Sequence, residues 1–224
     1  MHMDRQVLLR KIMNLGDEIR RLEQDMIALQ SIDIVGYPEN YSNLSQKAAI
    51  SSEHITKKLR ELVFSTTNTD WSELMQKSAD ELGITITIDS GGDDDGTVEI
   101  ILPCLIPNRK KKPTEFLTAP LYAALERFIT ERPLHQPFQR FEHCVIVITH
   151  VYDEKLLATG RKRDYDNIET KGIIDVINTF LLTDDSGFFC SICQTSEISD
   201  RDFTRINVLK EDAFFKVILD MKNG

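Results

Sequence analysis

Residues 161–186 read RKRDYDNIETKGIIDVINTFLLTDDS, and how this stretch folds decides the architecture. It opens on three cations, Arg161, Lys162 and Arg163. It then passes Asp164 and Asp166 on either side of Tyr165, and closes on Asp184 and Asp185. Between the two acidic pairs the chain reads as an amphipathic helix over residues 167–178 that carries Lys171 and Asp175. A strongly β-prone run, FEHCVIVITHVY at 141–152, precedes it, and a second, at 188–194, follows it. The segment is therefore the helical link between two strands.

Further out, Ile84, Ile86 and Ile88 alternate with Thr85 and Thr87, as a half-buried strand does, and residues 98–102 form the returning strand. Residues 114–130 offer Phe116, Leu121, Ala124, Leu125 and Phe128 to a core and read as a helix. Residues 203–209 read as another strand, and 212–221 as a terminal helix or strand. The order β-β-α-β-α-β-β predicts an α+β domain over residues 65–224, a mixed sheet with packed helices.

Residues 1–64 are different in kind. Leu8, Ile12, Leu15, Ile19, Leu22, Met26 and Leu29 recur at alternating intervals of four and three, a heptad seam. Gly16 costs that helix roughly 1 kcal/mol relative to alanine. Gly36, Pro38 and Asn40 break the pattern, and a second helix is expected over 45–64 with Ile55, Leu59 and Leu62 on one face. An antiparallel helical hairpin fits, and so does a dimerising coiled coil in which residues 5–30 meet a partner helix. A third helix is expected over 71–82, closed by Gly83.

Composition sets the outer limits. The chain has 224 residues, 41% of them hydrophobic, enough for a core. No run approaches the ~18 apolar residues of a membrane span, and the N-terminus lacks a signal sequence, so a cytoplasmic protein with no membrane partner is expected. Four scattered cysteines argue for reduced thiols. Cys190 and Cys193 form a lone CxxC in a strand-like run, which sends the two side chains to opposite faces, and no second ligand pair for zinc is evident. The net charge of −9 opposes bulk affinity for nucleic acid. The cations are clustered, however, at 161–163 and at Arg109, Lys110, Lys111 and Lys112. The latter run reads equally as a solvated loop and as a phosphate-contacting one.

If the backbone at Asp164 and Asp166 is extended, their side chains share one side and can coordinate Mg²⁺ or Mn²⁺, which favour oxygen ligands. The alternative is ordinary capping of the following helix by Asp166 and Asn167. Asp184 and Asp185 lie a helix length away, ~18 Å. They reach the first pair only if residues 179–183 return along the helix, or if a second subunit supplies them. Both routes are open at this level. Such like charges are reconciled by a divalent cation, which supplies a Lewis acid and an activated water, and Lys171 is placed to steady charge on a phosphate.

The run Arg161, Arg163, Asp164, Asp166, Asn167, then Lys171 and Asp175, then Asp184 and Asp185 entering a strand, resembles the RusA-type Holliday junction resolvases. The upstream strand ending at Leu102–Pro103 and the basic loop after Pro107 and Asn108 fit as well, so the likeness covers about residues 97–210. It implies a homodimeric, Mg²⁺-dependent endodeoxyribonuclease that resolves four-way DNA junctions in recombination and repair. Asp164, Asp166 and Asp185 would be catalytic metal ligands with Asp184 beside them, Lys171 the catalytic lysine, and the 161–163 cluster the DNA-facing cations. Lys171 stands five residues after Asp166, whereas the family places its lysine four after. In a continuous helix that extra residue turns the side chain by ~100°. A resolvase-like module that binds DNA or protein without cutting is the other function this sequence fits. Nucleotide processing is a weaker fit, because no glycine-rich phosphate cradle is present.

Overall fold

The computed structural model describes residues 5–67, 70–89, 96–107, 115–133, 135–157 and 164–214. The chain divides into two compact units, Met1–Leu74 and Met75–Gly224.

The first unit is a pair of helices, α1 (Arg5–Ser31) and α2 (Pro38–Thr66). The second helix starts seven residues before its expected beginning at 45. Pro38, read from sequence as a breaker, is instead an opening residue, because its missing N–H is one that a helix's first turn leaves unbonded anyway. The heptad seam also divides. Leu8, Leu15, Leu22 and Leu29 are buried or half-buried, but Ile12, Ile19 and Met26 remain 45–48% exposed. Glu18 and Asp25 take the inward places instead. α2 answers them with Lys58, whose Nζ lies 2.5 Å from Glu18 Oε1, and Lys47, whose Nζ lies 2.8 Å from Asp25 Oδ1. The lysine hydrogen bond holds the Glu18 carboxyl below its usual range, with partial burial opposing it. α2 presents Leu44, Ala48, Ser51, Ile55, Lys58 and Leu62 at steps of four and three, all buried or half-buried. The hairpin seam is thus leucines laced with ion pairs.

The boundary falls in sequence within α3 (Trp71–Leu82), whose Met75 and Ala79 are buried. It ends at Gly83, where φ is +77°, a left-handed conformation that a side chain resists, and Ile84 N–H donates to Ala79 O at 3.0 Å.

The second unit carries β1 (Thr85–Asp89), β2 (Thr97–Leu102), α4 (Glu115–Thr130), β3 (Cys144–Asp153), the short α5 (Glu154–Leu157), α6 (Lys171–Leu181), β4 (Cys190–Ser199) and β5 (Phe203–Lys210). With the helices of the first unit this is the expected α+β class. The sheet order is β1-β2-β5-β3-β4; β3 and β4 run parallel and the other pairs antiparallel. Parallel neighbours need a crossover, and α6 lies on it. One sheet face buries Val98, Ile100, Ile146, Ile148, Ile206 and Val208 in a single core with Leu121 and Leu125 of α4 and Ile173, Ile177 and Leu181 of α6. The α6 residues recur every four, which lays one stripe of the helix on that core. α4 packs against α6, with Tyr122 and Phe180 edge to face at 4.6 Å between ring centroids. Among the described residues no helix is long and apolar enough to cross a membrane.

Candidate functional site

The acidic turn before α6 is short and tied down. Asp164 has extended backbone, and Tyr165–Asn167 make one tight 3₁₀ turn closed by Asn167 N–H to Asp164 O (3.0 Å) and Ile168 N–H to Tyr165 O (3.2 Å). Extended geometry therefore does not relate Asp164 to Asp166, since the second lies within the turn. Nor does Asn167 cap α6. The residue before the helix is Thr170, and its side chain makes no capping hydrogen bond.

Tyr165 anchors the turn to the sheet. Its ring stacks on the fully buried His150 of β3, centroids 5.7 Å apart, and its hydroxyl lies 2.9 Å from Ser196 Oγ of β4. His150 Nε2 lies 3.1 Å from Gln194 Oε1, one strand over. Ile168, fully buried, pins the following residue, and Asp164, Asp166 and Asn167 are left exposed around these anchors.

Lys171 is the first residue of α6, and it is exposed. Because Ile168–Thr170 separate it from the 3₁₀ turn, the ~100° argument from a continuous helix does not apply. A cation in a helix's first turn opposes the helix dipole by about 0.3–1 kcal/mol. Glu169, between turn and helix, donates its N–H to Pro107 O at 2.9 Å. Pro107 immediately precedes the 108–114 segment in sequence. Pro107 itself thus lies beside Glu169, and in sequence the other basic run ends one residue before Asp164. Arg109, Lys110, Lys111, Lys112, Arg161, Lys162 and Arg163 themselves lie outside the described residues.

The second acidic pair sits at the other end of α6. The helix continues to Leu181, three residues beyond the expected 178, and spans ~16 Å. Arg140 closes it, donating to Thr179 O (2.8 Å) and Leu182 O (3.3 Å). The chain then pairs with Phe141, through Phe141 N–H to Leu181 O (2.9 Å) and Thr183 N–H to Phe141 O (3.0 Å). It does not turn back along the helix. Asp184 Oδ1 accepts from Ser186 N–H at 2.8 Å in a local turn. Asp185 lies close enough to Cys190, at the start of β4, to oppose that thiol's ionisation. Cys190 pairs in register with Cys144, and Ser196 with His150, six residues further along β3. Cys190 and Ser196, beside which the two acidic runs lie, are six residues or roughly 20 Å apart along β4. Among the described residues no three histidine, cysteine or carboxylate side chains gather as a metal-holding group.

The two buried thiols interact with each other. A hydrogen bond between them lowers the Cys190 thiol and raises that of Cys144, and burial adds to the rise at Cys144. A cavity of about 690 Å³ lies away from the acidic turn, near the start of β3, bounded by Ile88, Arg132, Phe138, Phe141, His143 and Lys210.

The anchor set of His150, Gln194 and Ser196 was not identified from sequence. Nothing local in the sequence indicates that a tyrosine from the acidic run stacks on His150.

The model of a family described as "Family of unknown function (DUF6100)" matches residues 4–224. None of the curated proteins matches the chain. A crystal structure from Salmonella typhimurium, described provisionally as a translation initiation inhibitor, aligns at 10% identity with a TM-score of 0.20, covering 58% of this chain and 98% of its own. At that score the likeness informs neither fold nor function.

Proposed function

The chain belongs to the DUF6100 family; on its own residues, we propose that it is a Mg²⁺-dependent endodeoxyribonuclease of the RusA-like kind, acting on four-way DNA junctions. The observation that carries this reading is the turn itself. Two exposed carboxylates, Asp164 and Asp166, flank a clamped tyrosine, with the exposed Lys171 following. The hydrogen bond from Glu169 to Pro107 sets Pro107, which leads in sequence into a basic segment, beside Glu169.

The donor set fits the cation. Mg²⁺ takes oxygen ligands and is commonly held by one or two carboxylates together with waters and substrate phosphates. When bound it would supply Lewis-acid polarisation and an activated water. In this reading Asp164 and Asp166 hold it, and Lys171 meets developing negative charge on the phosphate. Arg161–Arg163 and Arg109–Lys112 contact the DNA backbone. With a net charge of −9, affinity comes from those local clusters and falls steeply with salt. Asp184 and Asp185, at the far end of α6, complete the same site only from a second copy of the chain.

That separation also favours a second reading, in which the fold binds branched DNA without cutting it. One experiment divides the two. In Mg²⁺ or Mn²⁺, the wild type is expected to cleave a synthetic four-way junction, and Asp166→Asn to bind it without cleavage. A wild type that binds junctions but leaves them intact supports the second reading. One that neither binds nor cuts removes both.

A further inference from the structure

The first unit keeps an unused apolar surface. α1 buries its leucine ridge against α2, yet Leu9, Ile12, Met13, Ile19, Met26 and Ile27 remain 45–69% exposed. On a helix at 3.6 residues per turn, Ile12, Ile19 and Met26 form one ridge beside the buried seam. A helix apolar on two adjoining faces is built for two neighbours, as in a four-helix bundle, and α2 is one neighbour.

We infer that the second neighbour is α1 of another copy of this chain, running antiparallel, so that two hairpins form a four-helix bundle about a twofold axis near Ile19. Three observations choose that occupant. The first is spacing. The ridge residues are seven apart, so setting Ile19 against its own copy places Ile12 against Met26 on both sides of the axis.

The second is charge. Residues 5–14 of α1 carry Arg5, Arg10 and Lys11 and no acid, a net of +3. In residues 15–31 Glu18 and Asp25 are taken by the lysines of α2, and the remaining Asp17 and Glu23 balance Arg20 and Arg21. An antiparallel copy lays each basic half beside the partner's charge-balanced half, whereas a parallel copy sets the two +3 halves against each other.

The third is Gly16. Mid-helix glycine is unfavourable, and among the described residues nothing requires it. A Cβ there would meet only the tip of Arg20, at 3.9 Å. Three residues from the axis, the missing side chain lets a second backbone approach.

This inference stands independently of the nuclease reading, because it is read by mass and cross-linking rather than by cleavage. The full chain, 25.7 kDa, is measured by sedimentation equilibrium. The wild type is expected at twice that mass and Ile19→Glu at the monomer mass, with unchanged helical circular dichroism. Ile12→Lys and Met26→Glu are each expected to be monomeric alone and to regain the dimer mass when mixed. That pair tests the register even where one variant folds poorly. Ile12→Cys should not form a disulfide dimer with itself, beyond the wild-type background, but should do so when mixed with Met26→Cys. A monomeric wild type, a dimer indifferent to Ile19→Glu, or self-cross-linking of Ile12→Cys would each overturn the arrangement.

Discussion

The clamp on the acidic turn can be taken apart in steps. Tyr165→Phe removes the hydroxyl 2.9 Å from Ser196 Oγ and keeps the ring over His150. A net hydrogen bond contributes about 0.5–1.5 kcal/mol. The stack over His150 adds about 0.5–1.5 kcal/mol, judged from aromatic pairs, and Tyr165→Ala removes both. Tyr165 is 38% exposed, so the lower halves of those ranges apply. The two changes are therefore expected to cost about 0.75 and about 1.5 kcal/mol, roughly four- and twelve-fold in the docked-to-undocked ratio. Amide hydrogen exchange at Asn167 and Ile168, whose N–H groups close the turn, reads that ratio directly. Protection there should fall in that order, while amides paired between β3 and β5 keep theirs. Junction cleavage should fall with it, since the turn holds the carboxylates. Unchanged protection at Asn167 in Tyr165→Ala would refute the clamp. An equal loss throughout the sheet would show that Tyr165 supports the fold and not the turn.

Ile177→Ala opens a fully buried site beneath α6 and should cost about 2–5 kcal/mol in urea unfolding, depending on how far the core collapses. Gly83→Ala should cost about 1–2 kcal/mol, because at φ +77° an added Cβ has space around it but a strained backbone. The Glu18–Lys58 pair sets a pH dependence. Glu18 is lowered in the folded state, so its contribution is present above the ordinary glutamate range and lost as pH falls through the folded value. The stability gap between wild type and Lys58→Met, followed by urea unfolding, should therefore close on acidification; a gap constant with pH would remove the ion pair from the account.

Much of the second unit was legible because its signals are local. The Ile–Thr alternation at 84–88 gave β1 to within a residue, and the apolar run at 141–152 gave β3. Features set by long-range pairing were not legible. β4 continues to Ser199 through TSEIS, a polar segment that is a strand only because β3 supplies its hydrogen bonds. The clamp on Tyr165 depends on a register that brings Ser196 level with His150. In the first unit the heptad was correct as a period but did not say which ridge faces α2. Lys47 and Lys58, on the other helix, decided that in favour of Asp25 and Glu18. At the candidate site, residue types and order were readable from the chain, while the distance between the acidic pairs was fixed by how far α6 runs before Arg140 ends it.

The most direct test of the account mixes two dead variants. Asp166→Asn and Asp185→Asn are each expected to leave four-way junctions uncut in Mg²⁺. If one site draws Asp164 and Asp166 from one copy and Asp185 from the other, an equal mixture restores about a quarter of the wild-type sites by random pairing. Cleavage should return to about that level. A mixture as inactive as its parts, beside a wild type that cuts, would contradict a site shared between two copies.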